Sequence, residues 1–179
     1  VTGGAGFIGS HTCIYLLNNF HQIYILDSFV NSSPISLERI SLLVKEDVNI
    51  KENLNVFNGD LRNESDIKNI FEAALKRNNP IEAVIHFAGL KAVGESNKIP
   101  LKYWDYNVLG SISLLKIMEE YNCFTLVFSS SATIYRSNKS QPICENHDLY
   151  PANPYGTTKF VIEKILNDLS NSKNNKWQI

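Results

Sequence analysis

The sequence predicts an α/β fold, a doubly wound parallel sheet with flanking helices that is truncated at both ends. Three observations predict it. Short runs rich in Val, Ile and Phe alternate with longer stretches at helical spacing, the pattern of repeated βα units on a parallel sheet. A glycine-rich turn, Thr2-Gly3-Gly4-Ala5-Gly6-Phe7-Ile8-Gly9, stands where a first strand would pass into a first helix. The 179 residues are 44% hydrophobic and 20% charged, with 9 Gly and 6 Pro, which suits one domain with a buried core and excludes a disordered or low-complexity chain.

In chain order, Val1 and Thr2 are the stump of a first strand; a start at Val1 rather than Met leads us to expect that this strand is cut short. A helix is expected over Phe7 to Asn19, then a strand from Gln22 to Asp27, a helix from Leu37 to Lys45 and a strand from Leu54 to Phe57. Asn63 followed by Asp66 is a helix-start signal for Ser65 to Lys76. A strand at Ala83 to Phe87 precedes a long helix, Leu101 to Tyr121, opened by Pro100. Thr125 to Ser129 reads as a strand and Tyr155 to Leu169, behind Pro154, as a helix. Ser170 to Lys176 is a polar connection, and Trp177 to Ile179 resembles the start of another strand. No internal repeat or interdomain linker is visible.

Seventeen Lys and Arg against 18 Asp and Glu leave a formal charge of -1, so nothing global attracts nucleic acid or an anionic membrane, and any anionic ligand must be held locally. No apolar run approaches the roughly 18 residues of a membrane span, and no basic and apolar leader opens the chain. An intracellular, cytoplasmic setting is expected. Cys13, Cys123 and Cys144 are odd in number and without a CxxC or Cys/His cluster, so they are expected to be reduced packing residues, with no metal site.

The glycines at Gly3, Gly6 and Gly9 form a G-x-x-G-x-x-G variant of a dinucleotide loop: a tight turn, a close approach of backbone to pyrophosphate, and close helix packing, with free N–H groups at the helix start. The second strand ends in Asp27, 18 positions after Gly9, near the spacing at which an acid accepts hydrogen bonds from an adenosine ribose. A glycine-rich turn with a solvated aspartate is the plain alternative; the strand context favours the dinucleotide. A carboxylate at Asp27 repels a 2′-phosphate, and no Arg lies between Gly9 and Arg39, so NAD is favoured over NADP. Two later strand ends, Gly59-Asp60-Leu61 and Phe87-Ala88-Gly89, reach the same edge of the sheet: Asp60 is suited to adenine, and the small Ala88 and Gly89 admit the cofactor.

Tyr155 and Lys159 stand four residues apart, on one helix face and about 6 Å apart along its axis. A free tyrosine with a pKa near ~10 is a poor base at neutral pH, but a neighbouring ammonium and a nicotinamide cation favour its phenolate, so Tyr155 can exchange a proton with a sugar or alcohol hydroxyl. Hydroxyls of Ser129, Ser130, Ser131 and Thr133 emerge at the same sheet edge, where one can steady the reacting oxygen. A surface helix with a solvated lysine is the plain reading of this spacing alone; the upstream loop and the Ser-rich strand end tip the balance. His11 and His86 read as packing or hydrogen-bonding residues, and His21 and His147 lie in polar connections.

These residues carry a resemblance. The loop, Asp27, the Ser131 region and Tyr155 with Lys159 resemble the extended short-chain dehydrogenases/reductases, whose domain is Rossmann-like, and more narrowly the UDP-glucose 4-epimerases. The narrower likeness rests on Phe87-Ala88-Gly89-Leu90-Lys91-Ala92-Val93-Gly94-Glu95-Ser96, on Ser129-Ser130-Ser131-Ala132-Thr133-Ile134-Tyr135 and on Asn153-Pro154-Tyr155-Gly156. Related nucleotide-sugar dehydratases carry Thr-Asp-Glu in place of Ser131-Ala132-Thr133, and no acid stands there in this chain.

The resemblance implies a catalytic set of Ser131, Tyr155 and Lys159, and it adds Phe7, Ile8, Asn31, Ser32, Leu61, Phe87, Lys91, Asn107 and Ser129 to the residues around NAD. Substrate contacts implied are Lys91, Ser131, Ala132, Thr133 and Tyr155. The implied reaction is transient oxidation of a UDP-sugar at C4 and re-reduction from the other face, by a homodimer in the full-length enzyme. Residues 1–179 would be a partial NAD-binding domain, with the substrate-binding domain outside this chain. Arg136 stands where the family usually has Gly, and Ser28 where Asn often follows the ribose acid. Another nucleotide-sugar epimerase, dehydratase or reductase, or a non-catalytic NAD-binding fragment, remain the alternatives.

Overall fold

Ile23-Tyr24-Ile25-Leu26-Asp27 is buried at every position, as a parallel strand covered on both faces must be, and forms β1 (Ile23–Asp27). The computed structural model describes residues 1–136, 142–173 and 176–179. β1 lies parallel to β2 (Leu54–Asn58), with Ile23 opposite Leu54 and Asp27 opposite Asn58. A second parallel pair joins β3 (Ala83–His86) to β4 (Thr125–Phe128). Thr2 bridges Leu26 on one side and His86 on the other, so the two pairs are one sheet with the expected stump at its centre. Gln178 bridges Thr125 at the outer edge, where the start of another strand was expected. The spatial order β2, β1, Thr2, β3, β4, Gln178 is that of the doubly wound nucleotide-binding sheet, with its reversal point at Thr2.

Alternate residues of β1 serve two cores. Ile23 and Ile25 pack with Cys13 and Leu17 of α1 (Phe7–Asn18), with Ile40 of α2 (Ile35–Leu43) and with Val48, which precedes the short α3 (Ile50–Asn53). Tyr24 and Leu26 pack on the opposite face with Val84, Leu126 and Trp177. That core is closed by Ile67, Ile70 and Phe71 of α4 (Glu64–Lys76), Leu114, Ile117 and Met118 of α7 (Gly110–Glu120), and Ile162 and Leu166 of α8 (Pro154–Ser170). Between β3 and α7 run α5 (Val93–Lys98), α6 (Pro100–Tyr103) and a π-helical turn over Trp104–Leu109.

Local chemistry sets the helix ends. Asn63 accepts a hydrogen bond from Ser65 N at 3.1 Å and starts α4, while Asn153 accepts from Gly156 N at 2.8 Å and, with Pro154 beside it, starts α8. Two expectations need correcting, and two short helices went unforeseen. The helix expected over Leu101 to Tyr121 is interrupted by the π turn, because the Asn107 side chain is drawn inward onto the loop after β3. Helices α3 and α5 carry too few residues to show a helical stripe in sequence. Cys144 is exposed, with Sγ 3.2 Å from His147 Nδ1, whereas Cys13 and Cys123 are buried as packing residues. Of the polar connection Ser170 to Lys176, positions 174 and 175 lie outside the described residues. Among the described residues no helix is long and apolar enough to cross a membrane, and no group of three or more metal-ligating side chains gathers.

Candidate active site

The loops that leave the C-terminal ends of the strands surround a cavity of about 300 Å³, opened by the reversal of strand order at Thr2. A second cavity, about 360 Å³, lies between the N-terminal ends of β1 and β3 among Ile67, Ile70, Phe71 and Leu114. The charged and hydroxyl groups converge on the first, which carries the chemistry.

Gly3 sits at φ +69 with no room for a side chain, since a Cβ there would stand 2.7 Å from Ala88 N. A Cβ at Gly9 would overlap the Gly3 carbonyl, so α1 can start this close to the sheet only with glycine there. The first intrahelical bond of α1 runs from Ser10 N to Gly6 O, which leaves the amides of Phe7, Ile8 and Gly9 without helical partners at the cavity wall. No acidic side chain occupies that first turn, so its positive end suits an anion.

Asp27, buried at the end of β1, accepts from Ala5 N at 2.9 Å through one oxygen and from Phe29 N at 3.0 Å and Ser32 Oγ at 2.7 Å through the other. Three of its roughly four acceptor positions are used, leaving one for a ribose hydroxyl. Asn31 donates to Gly89 O at 3.3 Å and ties the loop after β1 to that after β3. Asp60 lies further along the wall; the hydrogen bonds from the Arg62 side chain hold its carboxyl below the usual range.

Lys159 of α8 is buried, and burial pushes its ammonium down to about 8 from 10.5. Its Nζ donates to Ser129 O at 2.9 Å and stands 4.6 Å from the Phe128 ring centre. Tyr155, one turn earlier, shares the cavity wall with it. A buried hydrogen-bond chain supports this end of the sheet. Ser111 gives its proton to Asn107 O at 2.5 Å, so it accepts from His86 Nε2 at 2.9 Å, and His86 Nδ1 accepts from Thr2 Oγ1 at 2.6 Å. Burial pushes His86 down to about 3, so it stays neutral and serves as a strut between Thr2 and α7.

Of the site residues expected from sequence, the cavity wall carries Gly3, Gly6, Phe7, Ile8, Gly9, Asp27, Asn31 and Ser32 from the β1 side. It also carries Asp60, Leu61, Phe87, Ala88, Gly89, Lys91, Ser129, Tyr155 and Lys159. Asn107 is not on that wall: it is buried behind it, donating to Leu90 O at 3.0 Å and Thr158 Oγ1 at 3.0 Å and accepting from Leu90 N at 2.8 Å. Ser131, Ala132 and Thr133 follow the wall residues Ser129 and Ser130 but stand beyond them. The chain turns into a 3-10 helix over Ala132–Ile134, and Ser131 Oγ lies 2.9 Å from Thr133 Oγ1. Ser130, expected at this sheet edge, is on the wall; sequence reasoning missed Ser28, Val30 and Tyr106 there, and Tyr106 arrives on the π turn, which has no sequence signal.

A doubly wound sheet with a glycine loop, a ribose-type acid and a Tyr/Lys pair on one cavity defines the Rossmann-type domain of an extended short-chain dehydrogenase/reductase. A family model described as GDP-mannose 4,6 dehydratase matches residues 1–177, and the chain belongs to that family. It is 45% identical over 179 residues to a UDP-glucose 4-epimerase of Bacillus subtilis, covering 100% of this chain and 49% of that protein. It is 44% identical, with the same coverage, to a bifunctional UDP-glucose 4-epimerase and UDP-xylose 4-epimerase of Pisum sativum. The crystal structure of a UDP-glucose 4-epimerase from Bifidobacterium longum, in complex with NAD+ and UDP, superposes with a TM-score of 0.86 at 40% identity, over 99% of this chain and 50% of that one. The chain therefore spans about half the length of the relatives it matches.

Proposed function

We propose that the protein carrying this chain interconverts UDP-glucose and UDP-galactose through NAD-dependent transient oxidation at the sugar C4. Residues 1–179 then supply the NAD-binding domain, and the substrate-binding domain lies outside them. The observation that carries the reading is the shared wall: Tyr155 and the buried Lys159 face the same cavity as the glycine loop and Asp27. Bound NAD supplies a reversible two-electron acceptor for the sugar carbon.

This chain's residues handle the protons and the positioning. The amides of Phe7, Ile8 and Gly9 hold the pyrophosphate, and Asp27 accepts from the ribose through its remaining acceptor position. Asp60, Leu61, Phe87, Ala88, Gly89 and Ser129 line the rest of the groove, and Asn107 shapes it by fixing Leu90. Tyr155 Oη takes the proton of the sugar 4′-hydroxyl and returns it. Lys159, charged below about pH 8, stands on the same wall as Tyr155 and holds the nicotinamide ribose. Ser131 donates to the same sugar oxygen once its hydroxyl turns from Thr133, and Lys91, Ala132 and Thr133 border the sugar. Elimination of water from the sugar needs an acid to protonate the departing hydroxyl, and Ser131-Ala132-Thr133 offers none, so epimerisation is favoured over dehydration. The reading includes a homodimer in the cytoplasm, where Cys13, Cys123 and Cys144 remain free thiols.

Tyr155→Phe tests the assignment. UDP-galactose turnover is expected to fall by at least about a thousandfold, in the range of a lost general acid/base, while the nucleotide released on denaturation matches wild type. Retained turnover would remove Tyr155 from the mechanism, and absence of NAD or NADH in the wild-type protein would remove the cofactor reading.

A further inference from the structure

The loop that leaves β3 brings Lys91 to the cavity wall, and the residues on either side of it are held by two side chains of one helical stretch. Leu90 gives its N–H to Asn107 Oδ1 at 2.8 Å, and its carbonyl accepts from Asn107 Nδ2 at 3.0 Å. Ala92 gives its N–H to Tyr103 Oη at 3.1 Å, and its carbonyl lies 2.8 Å from the same oxygen. Tyr103 ends α6 and Asn107 lies on the π turn that continues it; four residues apart, both are buried and both reach the loop.

Tyr103 Oη is itself fixed. Its one proton has two acceptors in reach, Ala92 O and, at 2.7 Å, Glu95 Oε2. The carboxylate is the stronger acceptor, and Ala92 O already accepts from Ser96 N at 3.0 Å. Burial and the Glu95 carboxylate push the phenol up to about 12, so it keeps that proton. The Lys91 side chain, by contrast, is exposed, and among the described residues no carboxylate pairs with it within 4.0 Å. Its charge is open to a ligand while the backbone on both sides of it is tied down, so little orientational freedom is left to lose on binding.

We infer that Tyr103 is a positioning residue: by fixing Ala92 while Asn107 fixes Leu90, it sets where the Lys91 ammonium meets the oxygens of the bound sugar nucleotide. The inference rests on the UDP-sugar reading above. Because Tyr103 acts through Lys91, its contribution vanishes once the Lys91 ammonium is gone.

The experiment has two arms, both on the purified protein that carries this chain. In the first, amide hydrogen exchange of the nucleotide-free protein is read residue by residue by fragmentation mass spectrometry. Wild type is compared with Tyr103→Phe, which keeps the buried ring and removes only Oη. The Ala92 amide is expected to exchange about tenfold faster in the variant, the scale of one hydrogen bond, while the Leu90 amide, still held by Asn107, stays within about threefold. Equal acceleration of both amides means general loosening and overturns the inference. So does a wild-type Ala92 amide that exchanges at the rate of an open loop, a result that needs no folded variant.

The second arm is a double-mutant cycle in kcat/KM for UDP-galactose. Lys91→Met is expected to cost about tenfold or more, the scale of a hydrogen bond from a charged donor, and Tyr103→Phe about fivefold. In the Lys91→Met background, Tyr103→Phe is expected to cost less than about twofold. Additive losses, or no loss in Lys91→Met, overturn the inference while wild-type turnover leaves the UDP-sugar reading intact. A wild type that does not turn over UDP-galactose overturns both.

Discussion

Lys159 carries an ammonium into a buried position on the cavity wall. Burial lowers its pKa from 10.5 to about 8, so between those values the unfolded chain holds a proton that the folded chain has released. The unfolded state binds more protons in that window, and the Lys159 contribution to stability therefore rises with pH from about 8 to about 10.5. Below about 8 the full cost of burying the ammonium is present, offset by the bond to Ser129 O and the Phe128 ring. Lys159→Met has no such group. In urea melts at about pH 7.5 and about pH 10, wild type should gain stability relative to this variant at the higher pH. Parallel changes in the two proteins would mean that Lys159 titrates as a solvated lysine.

At the scale of elements, the π turn over Trp104–Leu109 joins the two ends of the cavity. It carries Asp105 and Tyr106 to Arg62 and sends Asn107 inward to Leu90 and to Thr158 on α8. Asn107→Ala leaves the buried N–H and C=O of Leu90 without partners, which should cost about 2–4 kcal/mol in urea-melt stability. A loss under about 1 kcal/mol would mean that the loop finds other partners. This turn also marks where sequence stops being informative. Strands β1 to β4 and helices α1, α4 and α8 were legible because apolar runs, Pro154, Asn63 and the glycine loop act locally. Asn107 was placed in the cofactor site by resemblance, yet its side chain is spent on the loop behind the wall; that depends on a one-residue insertion in helical winding that leaves no mark in composition or periodicity. Ser131 was also expected in the site, and its hydroxyl instead caps the 3-10 turn, a choice between two neighbouring partners that periodicity does not report.

Across the whole molecule, the reversal of strand order at Thr2 opens a groove bordered by the free amides at the start of α1, the Asp27 and Asp60 carboxylates, and Tyr155 with Lys159. The chain spans about half the length of its matched relatives, and the proposed division of labour follows: cofactor and proton transfer here, most sugar selection elsewhere. The central claim is a redox cycle with no net redox change. Its most direct test is incubation of the purified protein carrying this chain with UDP-galactose, with sugar nucleotides separated by chromatography and NADH followed by absorbance. UDP-glucose is expected to approach equilibrium with UDP-galactose while no NADH accumulates. NADH rising in step with substrate loss, or a dehydrated sugar nucleotide in place of UDP-glucose, would contradict it.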